Sequence, residues 1–171
     1  MDDKLIAAAK CGNKDAFAQL YLLYKDKLYR YAYYRLGNEA DAMDALSMCI
    51  THAFAGIGAL QSEKAFGAWL FKIMHYSCAA VLRERAKHAE HADLDAIPAA
   101  ALSEPANTLA VELKQALAQL SEAEREIVLL STIAGYKSRE TATLTGSTPG
   151  TVRSTLSRAL AKMRQYLGDE R

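Results

Sequence analysis

The segment from Thr148 to Leu167 constrains this chain more than any other, because its pattern fixes both a helix and the side of that helix that must face inward. Thr148 can accept a hydrogen bond from the first turn, and Pro149 stands at the position where a missing N–H costs nothing. Val152, Leu156, Ala159, Leu160, Met163 and Leu167 recur at three- and four-residue spacing and form one apolar stripe. Arg153, Ser154, Ser157, Arg158, Lys162, Arg164 and Gln165 fall off that stripe, and no acid occurs between Pro149 and Leu167. Such a helix buries one side and presents a positive one. Alone, it fits a solvated basic face as well as a surface for phosphate.

The residues before it narrow the choice. Ser121 and Glu124 have the spacing of a capping box and open an apolar run that stops near Gly135. A short helix is expected from Ser138 to about Thr145, and Gly146-Ser147-Thr148 joins it to the basic helix. Two short helices across a glycine-containing turn are the pattern of a helix-turn-helix, whose second helix enters the major groove of DNA.

The N-terminal half has a different organisation. Phe17, Leu20, Tyr24, Leu28 and Tyr31 share one face of a helix that should end at Gly37-Asn38. A second helix is expected from about Glu39 to Ala55 and a third from about Ser62 to Arg85, with Phe66, Trp69, Leu70, Ile73 and Leu82 apolar, Trp69 being read as core. These three should make one bundle. Between the halves, residues 88–108 are rich in Ala, broken by Pro98 and Pro105, and acidic in fixed charge, which reads as a flexible linker. The expected fold is all-α: two small helical domains, residues 1–87 and 109–171, joined by that linker, the C-terminal one a helix-turn-helix.

A net charge of +1 over 171 residues looks wrong for a nucleic-acid partner until it is divided along the chain. Residues 137–166 hold Lys137, Arg139, Arg153, Arg158, Lys162 and Arg164 against the single acid Glu140. In the third helix, Lys72, His75, Arg83 and Arg85 lie near Trp69, Phe71 and Tyr76, a mixture of cations and rings suited to single-stranded DNA. Cys11, Cys49 and Cys78 are widely spaced and lack His at metal-ligand intervals, so they read as small core residues or free thiols. No glycine-rich phosphate loop, metal cluster or nucleophile elbow appears, and the expectation is a protein that is not an enzyme, with no cofactor and no metal. No apolar run approaches the roughly 20 residues of a membrane span, and the N-terminus lacks a signal-peptide core, so a cytoplasmic location without membrane insertion is expected.

Several of these phrases are similar to a known family. Leu120-Ser-Glu-Ala-Glu-Arg-Glu-Ile-Val-Leu-Leu, Glu140-Thr-Ala, Gly150-Thr-Val-Arg-Ser and Arg158-Ala resemble the C-terminal DNA-binding region of bacterial extracytoplasmic-function sigma factors. Leu36-Gly-Asn, Asp41-Ala-Met-Asp44, Phe66-Gly-Ala-Trp-Leu-Phe-Lys-Ile and Leu82-Arg83 resemble the region of the same family that binds core polymerase and melted promoter. The resemblance implies a sigma factor directing promoter recognition and transcription initiation. Its implied partners are RNA polymerase core, double-stranded promoter DNA, melted single-stranded promoter DNA and an anti-sigma factor. It implies that Arg153, Ser154, Ser157 and Arg158 reach base edges of the upstream element; by their charge alone, Arg153, Arg158, Lys162 and Arg164 are expected to hold phosphate. The polymerase-facing positions it implies are Asp41, Asp44, Ser47 and Met48.

The chain also departs from the family. Ser47 and Met48 stand where a Gln and often a Glu are usual, Tyr76 and Ala80 where Asn and Asp are common, and Thr141, Thr145 and Ser147 where Ile or Leu is expected. If buried, each hydroxyl needs a partner, a carbonyl one turn back being the obvious one. Two other functions fit the residues. One is a stand-alone helix-turn-helix regulator that binds duplex DNA without polymerase; the other is a degenerate sigma-like protein that only occupies an anti-sigma factor or polymerase.

Overall fold

The computed structural model describes residues 2–91 and 108–169, and among these every regular element is helical. The chain divides into two compact units. The first contains α1 (Asp2–Lys10), α2 (Lys14–Leu36), α3 (Glu39–Gly56), two single 3-10 turns at Ile57–Ala59 and Glu63–Ala65, and α4 (Phe66–His91). The second contains α5 (Thr108–Ala118), α6 (Glu122–Thr132), α7 (Ser138–Thr145) and α8 (Pro149–Asp169).

Local signals set most of these boundaries. Asn13 caps α2, its Oδ1 accepting from Ala16 N at 3.0 Å. Gly37, at φ 84°, takes the left-handed conformation that ends α2, its N–H donating to Tyr33 O. Asn38 then caps α3 through Asp41 N at 2.9 Å. α2, α3 and α4 enclose a core of Leu20, Leu28, Tyr31, Leu46, Cys49, Phe66, Leu70, Met74 and Cys78. α1 adds Ile6 and Ala9 to this core, packing on α2 and on both 3-10 turns, and is tied to the second by Lys10 Nζ–Glu63 Oε1 at 2.7 Å. The bundle therefore has a fourth helix beyond the three expected. Trp69 sits at the rim of this core, half-buried, rather than inside it.

α4 runs on to His91, past the expected end at Arg85, so residues 88–91 of the expected linker belong to a helix. Residues 92–107, which carry the rest of that expectation, lie outside the described residues. By length and composition alone, Glu39–Ala59 and Glu63–Ala89 could cross a membrane, contrary to the reading of the sequence as lacking such a run. Their apolar residues, among them Leu46, Cys49, Ala53, Leu70, Met74 and Cys78, instead pack together as the core of the first unit.

In the second unit Ala116 and Leu117 from α5, Leu120 from the turn after it, Ile127–Leu130 from α6, Ala142 from α7, and Val152, Ala159 and Met163 from α8 are buried. α8 packs against α5, α6 and α7, which gives one long helix three shorter supports.

Candidate nucleic-acid interface

The second unit builds a helix-turn-helix from its own local chemistry. Both halves of the expected capping box are formed: Glu124 N donates to Ser121 Oγ at 3.2 Å, and Ser121 N to Glu124 Oε2 at 3.0 Å. α7 starts with Lys137 N donating to Glu140 Oε2 at 2.7 Å and ends at Gly146, whose φ of 63° reverses the chain. Thr151 N then donates to Thr148 Oγ1 at 3.1 Å, the cap expected for α8. Ile127, Ala142 and Val152 meet at the centre of the motif, with Leu156 packed against them. This contact sets the angle at which α8 presents its other side.

That side carries the expected set. Arg153, Ser154, Ser157, Arg158, Lys162 and Arg164 are all exposed, as are Lys137 and Arg139 at the start of α7. The hydroxyls are only partly engaged, Ser154 Oγ donating to Thr151 O at 3.0 Å. Arg158 leans on Thr155 Oγ1 at 3.4 Å. Lys162 differs, because its Nζ lies 2.6 Å from Glu124 Oε1. Glu124 thus serves both the α6 cap and a strut to α8, and the Lys162 hydrogen bond chiefly holds its carboxyl below the usual range.

The three hydroxyls that replace apolar residues behave differently from one another. Thr145 Oγ1 donates to Thr141 O at 2.9 Å, one turn back as expected. Ser147 Oγ finds only a long contact to Thr148 O at 3.4 Å. Thr141 is fully buried and its Oγ1 has no hydrogen-bond partner among the described residues, contrary to the expectation. A buried hydroxyl left in that state costs on the order of 1–3 kcal/mol.

In the first unit, Asp41, Asp44, Ser47 and Met48 follow three- and four-residue steps and share one side of α3, opposite the buried Ala42, Ala45, Leu46 and Cys49. Asp44 and Ser47 are exposed and Met48 is half-buried. Asp41 is engaged within the fold: its Oδ2 accepts from Asn38 Nδ2 and from Arg85 Nη1, both at 2.7 Å. Partial burial raises its carboxyl, but the Asn38 hydrogen bond, the Arg85 hydrogen bond and the Arg85 charge outweigh that and hold it below its ordinary value.

Along α4, Lys72 and Arg83 are exposed as expected of cations that meet a nucleic acid. Arg85 is already used, since besides Asp41 its Nη1 donates to Leu36 O at 3.2 Å, joining the end of α2, the start of α3 and α4. His75 must be removed from the DNA-facing set. It is 5% exposed, and its Nδ1 lies 2.8 Å from Nη1 of the buried Arg35, which also donates to Tyr31 Oη at 2.9 Å. Burial, with the Arg35 charge beside it, pushes His75 down to about 4, so the imidazole is neutral at pH 7 and accepts at Nδ1.

The Arg35–Tyr31–His75 group and the Asp41–Arg85 clamp are what residue-by-residue reading missed. A signal existed for the first: Arg35 falls four residues after Tyr31, on the same buried stripe of α2. Cys49 and Cys78 are buried on α3 and α4 and Cys11 is exposed; burial and the neighbouring Cys78 push the Cys49 thiol up to about 12. Among the described residues no group of three or more His, Cys, Asp or Glu could hold a metal ion.

Comparison with known proteins agrees with this geometry in both units. The family Sigma-70 region 2 matches residues 20–88, and Sigma-70, region 4 matches residues 110–163. The chain is 31% identical to the ECF RNA polymerase sigma factor SigM of Mycobacterium tuberculosis, across 98% of this chain and 85% of that protein. It is 29% identical to the ECF RNA polymerase sigma factor BldN of Streptomyces coelicolor, across 98% of this chain and 66% of that one. Among solved structures it is similar to the sigma factor RpoE of Bartonella quintana, determined in complex with the anti-sigma factor NepR, with a TM-score of 0.76 and 25% identity over 91% of this chain and 98% of that one. A stand-alone regulator would need only the second unit, whereas these likenesses run through both. The chain therefore belongs to the extracytoplasmic-function RNA polymerase sigma factors, the transcription initiation factors that bind polymerase and direct promoter recognition.

Proposed function

We propose that the two units divide the promoter between them. The second reads the duplex upstream element with the outward side of α8: Arg153, Ser154, Ser157 and Arg158 at base edges, and Arg153, Arg158 and Arg164 with Lys137 and Arg139 on phosphate. The first holds core polymerase through the Asp44–Ser47–Met48 side of α3 and meets melted DNA with Lys72 and Arg83 of α4. The observation that carries this reading is the sorting of α8, where Val152 and Ala159 are buried while Arg153, Ser154, Ser157 and Arg158 are exposed.

The chain works as a non-enzymatic subunit in the cytoplasm, with an anti-sigma factor that covers the same surfaces. Support for that partner is the likeness to a sigma factor solved with one. The test is to mix the purified chain with bacterial core polymerase and follow complex formation by size exclusion, with Asp44→Ala as the control. A complex that the control weakens supports the reading. A chain that shifts duplex DNA but never joins polymerase overturns it.

A further inference from the structure

α2 buries Leu20, Leu28 and Tyr31, and on the side turned away from them it carries Ala18, Leu22, Lys25, Asp26, Tyr29 and Tyr33. At 100° per residue these six fall within a sector of about 100°, and from Ala18 to Tyr33 they span about 22 Å of helix. Leu22 is 67% exposed, the highest value for a large apolar side chain among the described residues. Tyr29 and Tyr33 stack, with centroids 5.9 Å apart and planes at 21°, so one end of the stripe is a flat double ring. The other end, Ala18 and Leu22, is small and aliphatic. Lys25 and Asp26 lie between the two ends, both exposed, and neither makes an ion pair among the described residues.

One exposed leucine on a surface is ordinary, but the order of residues along this stripe is not. A twofold axis passing between Lys25 and Asp26 sets Ala18 against Tyr33 of a second copy, Leu22 against Tyr29, and Lys25 against Asp26. The small end then meets the rings, and two opposite-charge pairs form beside the axis by symmetry. The same helix laid parallel on itself would put Lys25 against Lys25 and Asp26 against Asp26. A partner of one charge sign would leave either Lys25 or Asp26 facing its like. The stripe is therefore complementary to itself, in one direction only.

We propose that the outward side of α2 is an isologous contact with a second copy of this chain, the two α2 helices lying antiparallel about an axis between Lys25 and Asp26. The contact is independent of the assignments of α3 to polymerase and of α4 and α8 to DNA. A helix pair of this length is smaller than a standard interface, so the dimer is weak and reversible and forms as the chain accumulates. Leu23, 57% exposed, lies about 100° round the helix from Leu22 and off the stripe, so the contact does not need it.

The experiment is sedimentation velocity of the full chain over a range of concentrations, under reducing conditions because Cys11 is an exposed thiol. The parent should shift from monomer to dimer as concentration rises. Leu22→Asp should stay monomeric with an unchanged circular dichroism spectrum, and Leu23→Asp should dimerise like the parent. Lys25→Glu and Asp26→Lys should each weaken the dimer by about tenfold, since each brings like charges together twice. Combined, they exchange the signs of both pairs and should restore dimerisation to within about threefold of the parent. A parent that is monomeric throughout overturns the proposal, as does a dimer that Leu22→Asp leaves intact or a double charge variant no better than the single ones. A monomer whose Leu22→Asp variant no longer joins core polymerase assigns the stripe to polymerase instead, and overturns the proposal equally.

Discussion

α8 and α4 are both long, cationic and amphipathic, yet they use their charges differently. On α8 the neighbours α5, α6 and α7 all pack on the stripe that carries Val152, Ala159 and Met163, and Arg153, Arg158 and Arg164 remain exposed. α4 is gripped by α2 and α3 over a wider arc, and charged groups on that side are tied to the neighbouring helices. His75 is held by Arg35, and Arg85 is held by Asp41 and Leu36 O, while Lys72 and Arg83 stay outside. A basic residue on a helix is thus available to DNA only where the packing arc stops short of it, and this arc is a tertiary property.

The largest expected effect tests the buried side of α4. His75 binds its proton near pH 4 in the folded chain, against about 6.5 for an ordinary histidine. Between those values the unfolded chain takes up a proton that the native one does not, so the stability from neutral His75 is complete above about 6.5 and is lost as pH falls towards 4. A gap of that size is worth on the order of 3 kcal/mol. Urea unfolding at pH 7 and pH 4.5 should show the loss, and His75→Gln, whose amide oxygen can still accept from Arg35, should remove most of the pH dependence. An unaltered slope in that variant would mean that His75 is not the group responsible. Asp41, whose carboxyl lies below its ordinary value, loses its contribution only at lower pH than this window.

Next in size is the exposed side of α8. Arg158→Ala should weaken binding to the upstream element by about 1–3 kcal/mol and relax discrimination at one base pair, if the guanidinium grips a base edge. Arg164→Ala should instead weaken binding across sequences and reduce the salt dependence by about one phosphate. Footprinting and fluorescence anisotropy at several salt concentrations distinguish the two. Equal effects of both variants on all sequences would reduce α8 to a phosphate clamp.

These contrasts also explain what could be read in advance. The helix-turn-helix was legible because its signals are local: Ser121 with Glu124, Gly146 at positive φ, and Thr148 before Pro149 each act within a few residues. The stripe on α2 was legible for the same reason, and its end at Gly37 followed. α1 was not, since nine residues with Ile6 and Ala9 buried give too few repeats for a period to emerge. His75 was misread because the group that neutralises its appeal to DNA is Arg35, 40 positions away on another helix. Arg85 and Lys162 share that difficulty, their acids lying 44 and 38 positions distant.

A smaller effect separates the two arginines of α4. Arg85→Ala should lower stability by no more than about 1 kcal/mol, the usual range for an exposed ion pair, and Asp41→Asn should add little in the double variant. Arg83→Ala should leave unfolding unchanged and act on melted DNA. A double-mutant cycle on Asp41 and Arg85 that gives no coupling would show that the clamp does not hold in solution.

The smallest expected effect concerns Lys162, which is exposed on the outward side of α8 but is closed on Glu124 at 2.6 Å. A cation that already has a carboxylate partner neutralises less phosphate, because the acid must be left behind or carried along when DNA approaches. Lys162→Ala should therefore change the salt slope of duplex binding by clearly less than Arg164→Ala, although both residues are exposed and basic. Glu124→Gln keeps a side-chain oxygen that can accept from Ser121 N in the capping box but removes the charge, freeing Lys162 for phosphate. That variant should bind duplex more tightly and with a steeper salt slope than the parent. If instead Glu124→Gln leaves the slope unchanged while Lys162→Ala reduces it by a full phosphate, Lys162 leaves Glu124 whenever DNA is present, and the pair is a resting contact rather than a strut.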